Sequence, residues 1–324
     1  MTLIERINKF INAVASDIKS LYDNKVNKTD VIAIEQGGTG GTDAETARVN
    51  LGVLSQEQII DLMFYGASFN MPEVISKLFA NNEQGFAFDF NDPLTMYQDA
   101  AGTIPVTGVG QPVGLVLDKS GRGNHATQST SARRPILQQN ATTGAYYLAF
   151  DGVDDCLVTS DIDFNSQNNL SLFTSVIFNN LSSTSQAIAE LSTASWQTQG
   201  TFSLIRGYNG TNSYALRRNF STNGKFEDLV SQSNTDTKAV LTGIINSTAN
   251  VEYMRNLGAS IGNKTLTASS ETFKNYPLYI GIGEVTRYPL NGNLYSLIVV
   301  ARIASTTEIV NVENVISKAI GVTL

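Results

Sequence analysis

The side chains best suited to chemistry cluster in the middle of the chain. Trp196, Arg206, Tyr208, Asn209, Asn212, Tyr214 and Arg217 lie in or beside polar loops between short apolar runs. Aromatic faces pack against the apolar side of a pyranose ring, while Asn and Arg side chains hydrogen-bond its hydroxyls, so the set predicts a sugar-binding surface. Trp196 is the only tryptophan. It stands in Thr-Ala-Ser-Trp-Gln-Thr, where small polar neighbours offer it little core to join. Each of the seven, taken alone, also fits a packing or surface role.

Other constellations point away from catalysis. Glycoside hydrolysis needs two carboxylates roughly 5–10 Å apart across the scissile bond. No strand carries the alternating Glu-x-Asp-x-Glu run. Asp161 and Asp163 have the right period but sit in a polar turn region, and the adjacent Glu227 and Asp228 would face opposite sides of a strand. A Ser-His-Asp triad would have to use His125, the only histidine, and the chain has no Gly-x-Ser-x-Gly elbow. Gly121-Arg-Gly-Asn-His-Ala126 spells a dinucleotide fingerprint, yet the stretch to Pro135 is turn-rich where a Rossmann unit needs a helix. Asp118, Ser120 and Asn124 instead suit a tight loop closed by side-chain to backbone bonds. With one histidine and one cysteine, multi-histidine and cysteine-based metal sites are excluded. Cys156 reads as a small buried hydrophobe. The expectation is therefore a protein that is not an enzyme and requires no cofactor.

Composition narrows the partners. Across 324 residues the charged fraction is 16% and the net charge is −7, with no basic stretch interleaved with aromatics, so a nucleic-acid groove is not expected. No run reaches the roughly 18 apolar residues needed to span a bilayer. The apolar stretch Phe10–Ala15 is too short for a signal peptide and is interrupted by Asn12, so the chain is expected to fold in a cytosol.

The elements that would position the loops follow from periodicity. Ile4, Ile7, Ile11, Val14, Ile18 and Leu21 alternate spacings of three and four, a heptad seam over residues 1–25. Isoleucine at both seam positions favours more than two strands, and a parallel homotrimer is expected. Residues 26–54 form a glycine-rich connector with Gly37, Gly38, Gly40 and Gly41, lacking the lysine of a phosphate loop. Residues 55–84 carry two short helical patterns, the second opening at Met71-Pro72, and are expected to form a neck. From residue 85 to 324 the pattern becomes short alternating runs bounded by Gly, Asn, Asp and Ser. That indicates a mainly β domain, a β-sandwich, followed by one C-terminal helix with a capping box at Ser305 and Glu308.

Two segments carry a resemblance. Ile34-Glu-Gln-Gly-Gly-Thr-Gly-Gly-Thr-Asp-Ala-Glu-Thr-Ala-Arg-Val-Asn-Leu-Gly52 resembles a segment that recurs in bacteriophage tail fibre proteins. Gly85-Phe-Ala-Phe-Asp-Phe90, Val116-Leu-Asp-Lys-Ser-Gly-Arg-Gly-Asn-His125, Phe150-Asp-Gly-Val-Asp-Asp155 and Leu290-Asn-Gly-Asn-Leu-Tyr-Ser-Leu-Ile-Val-Val300 resemble concanavalin A-like (laminin G-type) jelly-roll domains. The resemblance implies a tail fibre receptor-binding protein, made in the bacterial cytoplasm and carried in the virion. Its N-terminus would join other tail or baseplate proteins, and its trimer of lectin-like domains would attach to a bacterial surface glycan, capsule or lipopolysaccharide. It also implies that calcium can be held near ligand loops, here at Asp151, Asp154 and Asp155, which otherwise read as turn carboxylates of a hairpin. A structural collar protein and a capsule depolymerase are the alternative readings.

Overall fold

The computed structural model describes residues 69–324, except 182–183, 194–197, 221–226, 232–233 and 284–286. The heptad seam, the glycine-rich connector and the first neck helix lie outside the described residues.

The expected sandwich of antiparallel sheets is present. One sheet has eight strands in the order Ala259–Thr265, Val251–Asn256, Lys238–Asn246, Asn169–Phe178, Asn291–Val300, Tyr146–Asp151, Ile136–Gln139, with Gly85–Asp89 paired along the rest of Asn291–Val300. The other has nine, in the order Glu227–Val230, Tyr214–Asn219, Thr201–Arg206, Gln186–Leu191, Leu278–Ile280, Leu157–Thr159, Ala126–Thr127, Leu115–Val116, Met96–Tyr97. Between them lies a core of Phe86, Phe88, Leu172, Val176, Leu204, Leu216, Leu241, Leu278 and Leu297.

Alternation decides which residues enter that core. On Asn169–Phe178, Leu170, Leu172, Val176 and Phe178 point inward while Phe173 points out. On Asn291–Val300 the parity breaks: Leu294 and Leu297 both face the core, three residues apart. A bulge between Leu294 and Ser296 supplies the extra residue, and it sends Tyr295 to the opposite side. There the Tyr295 hydroxyl accepts a hydrogen bond from Asn140 Nδ2 at 2.9 Å.

Two helices cover the outer face of the eight-stranded sheet. Helix α1, Met71–Leu78, begins at a capping box formed by Asn70 and Glu73. Helix α2, Thr306–Ala319, begins at the expected box of Ser305 and Glu308. Val74, Ile75 and Leu78 of α1 join Ile309, Val312 and Ile316 of α2 in an apolar layer over Phe173, Ile244 and Ile298. Arg302 ties the layer together, donating to both oxygens of Glu308, to Glu83 Oε1 at 2.9 Å and to the Leu78 carbonyl at 2.9 Å. With these helices on the first sheet, the outward face of the second is left without helix cover among the described residues.

Candidate site on the outer face of the nine-stranded sheet

The register of the second sheet lines up one row of side chains on its outward face. Asp228 pairs with Arg217, Arg217 with Ser203, Ser203 with Glu190, Glu190 with Tyr279, Tyr279 with Val158, and Val158 with Thr127. Their strand neighbours Leu229, Leu216, Leu204, Leu191, Leu278 and Leu157 all face the core, so the row must face out. Seven strands at about 4.8 Å spacing make the row roughly 29 Å long. Its middle is buried, Arg217 being 7%, Ser203 3% and Glu190 3% exposed, and its half-exposed groups stand at the two ends, Asp228 and Tyr208 on one side and Tyr279, Val158 and Thr127 on the other.

One end of the row is an aromatic and ionic cluster. Arg217 Nε donates to Asp228 Oδ1 at 2.9 Å, and the Tyr208 hydroxyl donates to Asp228 Oδ2. The Arg217 guanidinium lies 4.9 Å from the centre of the Tyr208 ring. Burial, and then the hydrogen bond to Asp228, push the Tyr208 hydroxyl up from its ordinary pKa. In the middle, Glu190 Oε1 accepts from Ser192 Oγ at 2.7 Å. At the far end a cavity of about 250 Å³ opens beside Thr127, Gln128, Arg133, Cys156, Val158 and Tyr279. Gln128 closes its base by donating to the Cys156 carbonyl at 3.1 Å. Burial first, then the neighbouring Glu190 charge, raises the Tyr279 hydroxyl.

The predicted sugar contacts divide. Tyr208 and Arg217 meet on the outer face. Arg206 and Tyr214 are fully buried and point inward, as the alternation from Phe202 and Leu204 requires. Asn212 is half-buried in the loop between them. Asn209 contributes backbone to the 3₁₀ turn Tyr208–Gly210, its side chain lying outside the description. Trp196 lies outside the described residues. Ser203, Glu190 and Tyr279 were not predicted; the one signal was an acidic residue inside the apolar run Ala187-Ile-Ala-Glu-Leu191. His125 is structural, its Nδ1 accepting from the Asp118 backbone N–H at 2.9 Å. Asp118 and Asn124 brace the same turn, Asp118 Oδ2 accepting from Asn124 N at 3.0 Å and Asp118 Oδ1 from Ala87 N at 2.8 Å.

The oxygens of Asp151, Asp154 and Asp155 lie within 4.8 Å of one another. Two are committed to the turn: Asp151 Oδ1 accepts from Val153 N at 2.8 Å, and Asp155 Oδ2 from Asp151 N at 3.0 Å. The remaining oxygens are of the type calcium takes, though an ion of six to eight ligands would need carbonyls or water besides. Burial, helped by the charges of Asp151 and Asp154, pushes Asp155 up to about 6 from 3.8. Between those values the folded chain holds a proton that the unfolded chain has released, so this group's penalty is absent at low pH and grows as pH rises through 6. Asp155→Asn keeps the acceptor oxygen and removes the charge. It is expected to gain on the order of 1 kcal/mol at pH 7.5, a few degrees in Tm, and almost nothing at pH 4. Thermal melts at the two pH values check it, and millimolar calcium raising the melting temperature of the parent but not of D155N would mark an ion site.

No family model matches the sequence, and no curated protein does. Solved structures match the fold. An arabinofuranosidase complexed with arabinofuranosyl-α-1,2-xylobiose superposes with a TM-score of 0.54 at 13% identity, over 76% of this chain and 65% of that one. An α-L-arabinofuranosidase soaked with a cyclic sulfate inhibitor gives 0.52 at 13% identity with the same coverage. The binding domain of botulinum neurotoxin serotype D gives 0.50 at 14% identity, over 74% of this chain and 52% of that one. The chain thus spans about two thirds of the arabinofuranosidases and half of the toxin domain.

These neighbours correct one expectation. Enzymes stand among the fold's matches, so the absence of a single-strand carboxylate run does not make this chain a non-enzyme. The physical reason is that inter-strand register can bring carboxylates of separate strands to one face, so a single-strand run is not required. At 13% identity the likeness carries the fold and assigns no catalytic residue.

Proposed function

We propose that the outer face of the nine-stranded sheet binds a glycan laid across the strands. The single observation that carries this reading is the row Asp228, Arg217, Ser203, Glu190, Tyr279, whose half-exposed ends put a carboxylate and an aromatic ring on a face without helix cover among the described residues. Tyr208, held over Arg217, supplies a second ring for stacking. Asp228, Arg217 and Tyr208 are held by one another before a ligand arrives, which lowers the ordering cost of binding.

The wider biology we infer is attachment of a phage tail fibre to a bacterial surface polysaccharide. The heptad seam of Ile4, Ile7, Ile11, Val14, Ile18 and Leu21 and the Gly-Gly-Thr-Gly connector support it, together with a sandwich able to present one face per subunit. Three copies joined at the N-terminus would convert a weak monomer site into a tight one through effective concentration.

The test uses the full chain. Capsule and lipopolysaccharide preparations from candidate hosts are screened for binding, and Arg217→Ala is compared with the parent. Arg217→Ala leaves Asp228 with its Tyr208 partner, so the fold should persist while glycan affinity falls about tenfold, the loss of one charge-assisted bond. Unchanged affinity in R217A would remove the outer face from the reading, and a monomer by light scattering would remove the fibre.

A further inference from the structure

Beneath the loop that carries Tyr208 lies a second, differently built cluster. Arg206 ends its strand with its guanidinium fully buried between two rings, 4.7 Å from the centre of Phe178 and 5.6 Å from that of Tyr214. Only Nη2 has an acceptor, the Asn234 carbonyl at 3.1 Å. Nε and Nη1 have none among the described residues. Those two nitrogens carry three of the five guanidinium N–H groups. The Tyr214 hydroxyl, also fully buried, has no partner among the described residues, and neither has the buried Oδ1 of Asn212.

A desolvated cation is costly without a counter-charge, and the ring faces offset only part of that cost. Among the described residues the carboxylate acting on both Arg206 and Tyr214 is Asp236, which stays exposed at the surface. Three unpaired N–H groups and a hydroxyl donor are complementary to a carboxylate. The unpaired amide oxygen of Asn212 is complementary to a hydroxyl beside it.

We propose that Arg206, Tyr214 and Asn212 receive an acidic sugar, a uronic or sialic acid unit of the glycan, its carboxylate on Arg206 and Tyr214 and a neighbouring hydroxyl on Asn212. The assignment rests on the outer-face reading, because the loop from Gly207 to Ser213 belongs to both places. Tyr208 at its start bonds Asp228 on the outer face, and the Asn212 carbonyl at its end accepts at 2.9 Å from the N–H of Asn234, the residue whose carbonyl Arg206 holds. Gly207 and Gly210 both hold left-handed backbone in that loop. Lifting the loop would admit a terminal acidic ring while neutral rings lie across the row.

Tyr214→Phe is the deciding variant, because it deletes one unpaired oxygen and leaves the packing intact. The full chain is titrated by calorimetry with galacturonic acid, N-acetylneuraminic acid, neutral galactose and sodium acetate, and with an acidic host polysaccharide before and after reduction of its carboxyl groups. The expected result is binding of the acidic sugars that Y214F weakens about tenfold and Asn212→Ala weakens less, with neutral galactose untouched. Carboxyl reduction should cost the polysaccharide a similar factor. If Y214F only raises the melting temperature and leaves acidic-sugar binding unchanged, the hydroxyl is merely an unpaired core group and the proposal falls. Acetate binding as tightly as galacturonic acid would overturn the sugar and leave a bare anion site. Retained binding of the reduced polysaccharide, still lost in Arg217→Ala, would sink this inference while sparing the outer-face site; loss of neither in R217A would sink that reading instead.

Discussion

Gly85→Ala is expected to abolish soluble protein. Gly85 opens the strand that pairs with Asn291–Val300, at φ +144°, and a Cβ there would stand 2.0 Å from the Val299 carbonyl oxygen and 3.1 Å from the Val300 Cα. Both obstacles are backbone, so no side-chain rotation relieves them. To make room the strand must leave its partner, and with it go Phe86, Phe88 and Phe90, each fully buried and stacked in sequence at 5.3 and 6.2 Å. The loss is on the order of 5 kcal/mol, comparable to the whole stability of many domains. Gly121→Ala is the control: φ is +81° but nothing lies within 4 Å of the added carbon. It should cost only about 1 kcal/mol for the left-handed backbone. Soluble yield and chemical denaturation of both variants check the contrast, and a well-folded G85A would show that the strand does not dock as described.

How much of this was legible in the sequence depends on what each element faces. The long strands Asn169–Phe178, Lys238–Asn246 and Asn291–Val300 have one flank in the core and were readable from alternation, as was the terminal helix from its capping box. Gln186–Leu191 is not legible because all six residues are buried, so no alternation marks it, and alanine is a poor strand former. Ala259–Thr265 is not legible for the opposite reason: it is a sheet edge, polar and half-exposed, with Gly262 in its middle. The candidate site shows the same split. Tyr208 and Arg217 could be picked by residue type. Joining them to Ser203, Glu190 and Tyr279 requires inter-strand register, which no local pattern encodes. The inward direction of Arg206 and Tyr214 is legible as well: counting by twos from Phe202 and Leu204, and forward to Leu216, places both on the core side, apart from Tyr208 and Arg217.

Arg255→Ala is expected to loosen the helix that closes the first sheet. Glu313 sits on that helix at 2% exposure and accepts from Arg255 Nε at 2.8 Å, from Arg255 Nη2 at 3.0 Å and from Thr242 Oγ1 at 2.7 Å. Removing Arg255 leaves a buried carboxylate with one neutral donor. Breaking such a pair from one side costs about 3–5 kcal/mol, and the lower end applies because Arg255 is a quarter exposed. For a domain of this size that lowers the melting temperature by about 6–12 °C. Adding Glu313→Gln to Arg255→Ala should recover most of the loss, because an amide needs no counter-charge, and the double-mutant cycle measures the coupling. Equal melting of parent and R255A would show the carboxylate to be hydrated. Below its melting temperature R255A should bind glycan as the parent does. The pair fastens the face covered by helices, whereas the proposed ligand meets the other sheet, so a loss of stability at Arg255 should leave the proposed recognition untouched.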